Sequence, residues 1–175
     1  HRLAANPRTP QYHGLAKEAF EPGNRWTGEV RLVESALDLP LRWRKPRRIF
    51  VCSMGDLFHE KVPYEWIDRV FTVMALCPRH TFLVLTKRPD RARSYLSGSS
   101  FDIRLAVRAA KGRCDESLLA TPWPLLNVWL GVSCEDQKRA DERIPILLQT
   151  PAAKRFVSLE PLLGPICIDR HVNLI

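Results

Sequence analysis

Four apolar runs in the sequence end in side chains that are able to carry acid–base or anion-binding chemistry. Carboxylates act as general acids and bases, and lysine and arginine bind anions. Strand ends are also polar simply because the chain leaves the core there, but recurrence at four successive ends favours a site. The polar residues that follow the runs are Ser53 and Asp56, then Thr86, Lys87 and Arg88, then Ser133 and Glu135, then Ser158 and Glu160. We predict a catalytic site formed by Asp56, Lys87, Glu135 and Glu160.

A histidine and a glutamate follow Asp56 in the string Gly-Asp-Leu-Phe-His-Glu, which ends at Glu60. Asp56 and His59 together could hold a metal ion or pass a proton. The H-E-x-x-H pattern of zinc peptidases is absent, because position 63 is proline. A surface histidine with ordinary hydrogen bonds is the favoured interpretation, and we expect no metal site.

The four runs have the composition of strands that are buried on both faces of a parallel sheet. The sequence predicts strands at residues 48–53, 81–86, 127–132 and 155–159. Helical spacing of apolar residues predicts helices at 63–77, 89–96 and 136–148, and one further helix near 28–37. Asp136 is a candidate N-cap, and Pro145 is expected to kink or restart its helix. Residues 97–124 are predicted to form an insertion with a short helix around 103–110.

Alternation of strands and helices predicts right-handed βαβ units. No G-x-G-x-x-G string follows any strand, so the usual reason to prefer a dinucleotide-binding sheet is missing. We predict one domain over residues 1–175, with the α/β architecture of a parallel (β/α) barrel, in the form of a partial TIM-like barrel. In such folds the site lies beyond the carboxyl ends of the strands.

Composition narrows the class of protein. No apolar run approaches the roughly 20 residues that a membrane helix needs, so we expect no membrane partner. The five cysteines are scattered and include no C-x-x-C pair, which favours free thiols in a reducing, cytoplasmic location. Most of them are expected to be small buried hydrophobic residues.

The net charge of +8 is unevenly distributed. The segment from Lys87 to Arg113 contains eight basic and two acidic residues, and a second basic cluster occupies residues 42–48. Such clusters suit nucleic acids or phosphorylated ligands, although a solvated face that aids solubility is an equal alternative. The residues predicted to bind nucleic acid are Arg104, Arg108, Lys111 and Arg113.

Six short strings stand out in one order: 26–30, 46–51, 53–58, 80–82 with 85–89, 127–133 and 156–162. Together they resemble a phage- and prophage-associated family of uncharacterised proteins. The resemblance covers nearly the whole chain outside the insertion. That family is in turn similar to the radical S-adenosylmethionine (β/α) barrels, with spore photoproduct lyase as a distant relative.

The resemblance implies an iron–sulfur cluster and S-adenosylmethionine as cofactors of the full-length family. It implies a cysteine-rich segment before His1 and a glycine-rich strand end after Ile175, so this chain is expected to be the middle of a longer protein. A cluster needs about three or four thiolates around one loop. We therefore expect no cofactor and no radical activity in this chain alone.

Roles for the strand-end residues also follow from the resemblance. It implies that Asp56, Lys87, Arg88, Glu135 and Glu160 face the substrate or S-adenosylmethionine. The side chains expected to bind the cofactor are those of Ser53, Arg88, Ser133 and Ser158.

Three hypotheses of function remain open at this point. The first is a radical S-adenosylmethionine-like enzyme that acts on a nucleic acid or nucleotide. The second is a phage-type module that binds nucleic acid or a partner protein without chemistry. The third, a phosphate-dependent metabolic barrel enzyme, rests on fold analogy alone. The sequence does not specify the substrate or the oligomeric state.

The basic segment after Lys87 gives a first prediction. Replacing Arg104, Arg108, Lys111 and Arg113 by glutamate should weaken binding to DNA or RNA of every sequence, because phosphate contacts act through counterion release. Affinity of the unaltered chain, measured by fluorescence anisotropy, should fall steeply as salt rises. Binding that is absent at low salt, or that the substitutions leave unchanged, would make this segment a solvated face.

Overall fold

The computed structural model describes residues 10, 13, 15–17, 25–98 and 122–172. The chain divides into two compact units, His1–Leu37 and Asp38–Ile175. The insertion's predicted short helix and the four cations predicted to bind nucleic acid lie outside the described residues.

The first unit contains a two-stranded antiparallel sheet and a short helix. Strand β1 (Ala16–Lys17) pairs with β2 (Arg25–Trp26), and helix α1 is Glu34–Leu37. The helix predicted over 28–37 is therefore wrong in length, since only its last turn forms. Gly28 has a positive φ of 74°, and the β-branched Val30 and Val33 disfavour helix between it and α1.

The second unit alternates strands and helices. Its elements are α2 (Leu39–Arg42), β3 (Arg48–Val51), α3 (Tyr64–Leu76), β4 (Thr81–Thr86), α4 (Pro89–Ser97), β5 (Val128–Ser133), α5 (Gln137–Gln149), β6 (Lys154–Ser158) and α6 (Asp169–Val172). The four predicted strands are thus confirmed, each within a few residues of its expected bounds.

Strands β3 to β6 form one parallel sheet in the order β3-β4-β5-β6. The prediction that they are parallel neighbours is confirmed. The barrel is not confirmed, because the sheet is open and β3 and β6 are its edge strands in the part of the chain that the structure describes. The physical reason is strand number, since closure with a filled interior takes about eight strands.

The core of this unit combines alternate strand residues with one stripe of each long helix. In β4, Phe82, Val84 and Thr86 are buried, and in α3 the buried residues include Phe71 and Met74. Each fully buried side chain of this size contributes about 1.5–3 kcal/mol to folding. No described helix is long and apolar enough to cross a membrane.

Helix α5 begins as the sequence predicts. The Asp136 carboxylate accepts a hydrogen bond from the Arg139 backbone N–H at 2.8 Å, which confirms the N-cap. The restart expected as one alternative at Pro145 is wrong, because α5 runs without interruption to Gln149, and the kink stays a prediction. Proline removes one backbone hydrogen bond there, and the burial of Ile144 and Leu147 holds the helix across the gap.

Close packing of β5 against β6 gives a second prediction. Gly131 lies opposite Phe156, and a Cβ at Gly131 would lie 2.5 Å from two ring carbons of Phe156. We expect Gly131→Ala to lower the free energy of unfolding by about 1–3 kcal/mol, as overpacking does. Urea denaturation measures this. Gly55→Ala is the matched control, since a Cβ at Gly55 has no heavy atom within 4 Å.

A double-mutant cycle tests the cause. In a Phe156→Leu background, Gly131→Ala should cost less than in the unaltered chain, because the clashing ring atoms are gone. An equal cost in both backgrounds would contradict the steric explanation.

Candidate functional site at the carboxyl edge of the sheet

The Asp56 carboxylate joins the loop after β3 to the end of β4. Its Oδ1 accepts hydrogen bonds from the Thr86 hydroxyl at 2.8 Å and the Phe58 backbone N–H at 2.9 Å. Its Oδ2 accepts from the Lys87 backbone N–H at 2.9 Å and from Nη1 of Arg88 at 3.1 Å. Both oxygens are engaged, so Asp56 is placed to hold the start of the β4–α4 turn rather than to act as a free base.

Arg88 carries this network to the surface. Its Nε donates to Oε2 of Glu60 at 2.6 Å, and that hydrogen bond lowers the pKa of Glu60 to about 2. Partial burial disfavours the charged form of Arg88, but its hydrogen bonds to Glu60 and Asp56 outweigh burial and raise its pKa. Glu60 and Arg88 are therefore both charged at neutral pH, and Arg88 links Glu60 to the Asp56 carboxylate.

Glu135, just after β5, lies between two cations. One carboxylate oxygen pairs with Nζ of Lys87, and the other lies 3.1 Å from Nη1 of Arg143. Burial alone would raise the pKa of Glu135, but Lys87 and Arg143 hold it below its ordinary value. Glu135 is therefore an anion at neutral pH, which suits a group that orients a cation and not one that donates a proton.

Arg143 reaches this position from α5. Its Nη1 donates to the Ser133 carbonyl at 2.5 Å as well as to Glu135, and its side chain is 13% exposed. The pair Arg143–Glu135 is nearly buried, whereas Lys87 on the other side of Glu135 is 51% exposed. Lys87 is thus the member of this group that is open to a ligand.

The loop after β6 completes the edge. The hydroxyl of Ser133 lies 3.3 Å from both Oε1 of Glu135 and the backbone carbonyl of Glu160. The Leu163 N–H donates to the Glu135 carbonyl at 2.8 Å, and the Ser158 carbonyl accepts from the Cys134 N–H at 2.7 Å. The Glu160 residue itself is exposed.

The structure brings together part of the site that the sequence predicts. Asp56, Lys87, Arg88, Ser133 and Glu135 are linked by direct contacts along one edge. Glu160 joins them through its backbone, and Ser158 lies beside Ser133 in the register of β5 and β6. Ser53 is exposed in the loop after β3. The assignment of catalytic and cofactor-binding roles to these residues stays a prediction.

Sequence reasoning missed Arg143 and Glu60. Arg143 stands beside the buried stripe of α5, formed by Ala140, Ile144 and Leu147, so a cation next to an apolar helical face was the available signal. No comparable signal marks Glu60, whose partner Arg88 is distant in sequence.

The described residues contain no group of three or more histidine, cysteine, aspartate or glutamate side chains that could hold a metal ion. His59 instead accepts a hydrogen bond from the Lys61 N–H at 3.2 Å and lies 3.7 Å from Glu60. A shallow apolar depression lies elsewhere, at the amino end of β5, and includes Leu96, Trp123 and Pro151. Its lining residues carry no charge.

The lowered pKa of Glu135 gives a third prediction. A depressed folded-state pKa contributes stability that is present above the unfolded-state pKa of about 4.3 and is lost as pH falls through the lower folded value. Glu135→Gln should therefore cost about 1–3 kcal/mol near neutral pH, in line with lost hydrogen bonds to charged groups. The cost should shrink steadily as pH falls below about 4.

Urea denaturation over this pH range measures the effect. Glu65→Gln, at an exposed position of α3, is the control and should show little pH-dependent difference from the unaltered chain. A cost for Glu135→Gln that is the same at acid and neutral pH would show that its ion pairs do not contribute.

Comparison with known proteins identifies a family but no activity. A search of curated proteins and a search of solved structures each found no match. A family model described as a protein of unknown function, DUF5131, matches residues 2–174. The match spans almost the whole chain. The chain therefore belongs to the DUF5131 family of proteins of unknown function.

Proposed function

We propose that the carboxyl edge binds S-adenosylmethionine, in a phage-type, radical S-adenosylmethionine-like enzyme that acts on a nucleic acid or nucleotide. The observation that carries the proposal is the chain of opposite charges from Arg88 and Asp56 through Lys87 to Glu135. These groups come from successive strand ends of a parallel sheet, where ligands of α/β folds bind. The resemblance of the strand-end strings to that enzyme class supports the choice of ligand.

The charges of the edge suit the amino-acid end of S-adenosylmethionine, which carries a carboxylate and an ammonium group. Lys87 is half exposed and would bind the carboxylate, and the exposed Glu160 would bind the ammonium. Glu135 and Asp56 act as positioning residues, because Glu135 orients Lys87 while Asp56 fixes the backbone of Lys87 and Arg88. Radical chemistry from S-adenosylmethionine would also require a one-electron donor, which the resemblance assigns to an iron–sulfur cluster.

No three cysteine, histidine or carboxylate side chains of the described residues form a group that could hold a metal ion, so these residues do not fit an iron–sulfur cluster. Cys77 precedes β4 and Cys134 follows β5, so these two lie towards opposite ends of the sheet. Burial raises the pKa of the Cys134 thiol to about 11, which keeps it protonated and a poor ligand. We derive no step through a cluster from these residues.

Titration calorimetry of the chain with S-adenosylmethionine tests the proposal. The unaltered chain should bind, and Lys87→Met should weaken binding by about tenfold or more, the size of one charge-assisted hydrogen bond. Adenosine, which lacks the charged amino-acid end, should bind with an affinity that Lys87→Met leaves unchanged.

Lys138→Met is the matched control, since Lys138 is exposed on α5. It should leave the affinity for S-adenosylmethionine unchanged. Absence of binding to the unaltered chain, or equal weakening by both lysine variants, would sink the proposal for this edge.

The second candidate function is a binding module without chemistry that holds a nucleic acid or a protein. It is favoured by one observation, namely that both oxygens of Asp56 and both oxygens of Glu135 already have partners within the chain. Carboxylates whose oxygens already accept hydrogen bonds or pair with cations abstract protons poorly. Nucleic-acid binding by a chain that does not bind S-adenosylmethionine would support this module over the enzyme.

A further inference from the structure

The amino ends of the strands carry a second cluster of charge, distinct from the carboxyl edge. The segment from α2 to the start of β3, here called the basic loop, places five cations within seven residues: Arg42, Arg44, Lys45, Arg47 and Arg48. All five are exposed. None of them forms an ion pair with a carboxylate of the residues that the structure describes.

Two arginines on the helices of this unit are paired with carboxylates. On the helices, Arg93 pairs with Asp90 at 3.5 Å and Arg139 pairs with Glu142 at 2.6 Å. A solvated face in a folded protein usually mixes both signs of charge, as these helices do. The basic loop departs from that pattern, so its positive potential is not neutralised locally.

The buried His80 ring holds both ends of the basic loop. Its Nδ1 accepts a hydrogen bond from the Arg47 backbone N–H at 3.2 Å, so that nitrogen carries no proton. Its Nε2 must then carry the proton, and it donates to the Pro40 carbonyl at 3.0 Å. The fully buried His80 side chain thus fixes the backbone path of residues 40–47.

Two further contacts make the loop rigid. Arg79 donates to the carbonyls of Trp43 at 2.9 Å and Leu41 at 3.2 Å. The guanidinium of Arg47 lies 4.5 Å from the centre of the Trp43 ring, whose edge contacts His80. The cations of the loop are therefore displayed on a fixed backbone, which lowers the entropy lost when a ligand binds.

The positive surface continues onto the sheet. Lys154, at the start of β6, lies 4.7 Å from the centre of the Trp129 ring, and Arg48 lies 5.9 Å from it. Since Arg48 begins β3 and Lys154 begins β6, this contact links the two edge strands across the amino ends of the sheet.

We infer that the basic loop binds the phosphodiester backbone of a nucleic acid. Exposed, unneutralised cations on a loop whose backbone is held by hydrogen bonds suit contacts with phosphates. Backbone contacts of this kind do not depend on base sequence. The inference rests on the proposed function only for the class of partner. It places nucleic-acid contacts at the edge of the sheet opposite the S-adenosylmethionine site.

Fluorescence anisotropy with labelled single-stranded DNA and RNA oligonucleotides tests the inference. The triple variant Arg42→Gln, Arg44→Gln and Lys45→Gln should weaken binding about tenfold or more at low salt. The slope of log affinity against log salt should fall by about 2, since each lost phosphate contact of a single strand is worth about 0.7. The single variants Arg44→Gln and Lys45→Gln should each lower the slope by about 0.7, a third of that decrease. They show whether the effect persists if the triple variant misfolds.

The matched control is Arg93→Gln, Lys138→Gln and Arg139→Gln, which removes the same charge from the helices and should leave binding nearly unchanged. Equal weakening by both triples would overturn the inference in favour of net charge alone. So would absent binding to the oligonucleotides, or binding to vesicles of phosphatidylcholine and phosphatidylserine in their place.

The test of nucleic-acid binding by the basic loop can fail or succeed independently of the test of S-adenosylmethionine binding. The basic-loop triple should keep the affinity of the unaltered chain for S-adenosylmethionine, measured on the same preparation. Oligonucleotide binding that depends on the loop, in a chain that binds no S-adenosylmethionine, would contradict the proposed cofactor and leave this inference standing.

Discussion

The arrangement of the carboxyl edge depends on one carboxylate, that of Asp56. It accepts hydrogen bonds from one hydroxyl, two backbone N–H groups and one guanidinium. Its side chain is only 12% exposed, so the carboxylate would be costly to leave without these donors. Through the Lys87 N–H, Asp56 also fixes where the lysine side chain begins, and that side chain reaches Glu135 after the next strand. A single, mostly covered acid thereby holds the ends of β3 and β4 together and, through Lys87, connects them to Glu135 after β5.

Most of the sheet could be predicted from the sequence, because continuous apolar runs and intervening helical stripes are local patterns. The N-cap at Asp136 is equally local and was predictable for the same reason. Whether the sheet closes into a barrel could not be predicted, since closure depends on the number of strands and on their tilt. Four consecutive strands have the same sequence pattern in a barrel and in an open sheet. The start of the first helix failed because a single glycine with positive φ outweighs the pattern of the residues after it.

The candidate site was predictable in its location and not in its chemistry. Parallel topology brings strand ends together, so polar residues at those ends meet at one edge whatever their identity. Which groups neutralise one another depends on side chains from helices, and Arg143 is the clearest case. The Lys87 hydrogen bond does most to keep Glu135 ionised, and Arg143 adds to it from a helix. A list of strand-end residues contains no information on such partners.

The two ends of the sheet treat charge in opposite ways, and this difference limits what each is able to bind. At the carboxyl edge every cation named here has a carboxylate within the chain, so a ligand there must compete with an existing pair and gains little from charge alone. Selectivity at that edge must therefore come from geometry, which favours a small zwitterion over a polymer. At the amino ends the basic loop has no described carboxylate to displace, and its backbone is held by His80 and Arg79. A polyanion has no ion pair to displace there, so the positive charge of the basic loop attracts it without local neutralisation. Such attraction does not discriminate between polyanions.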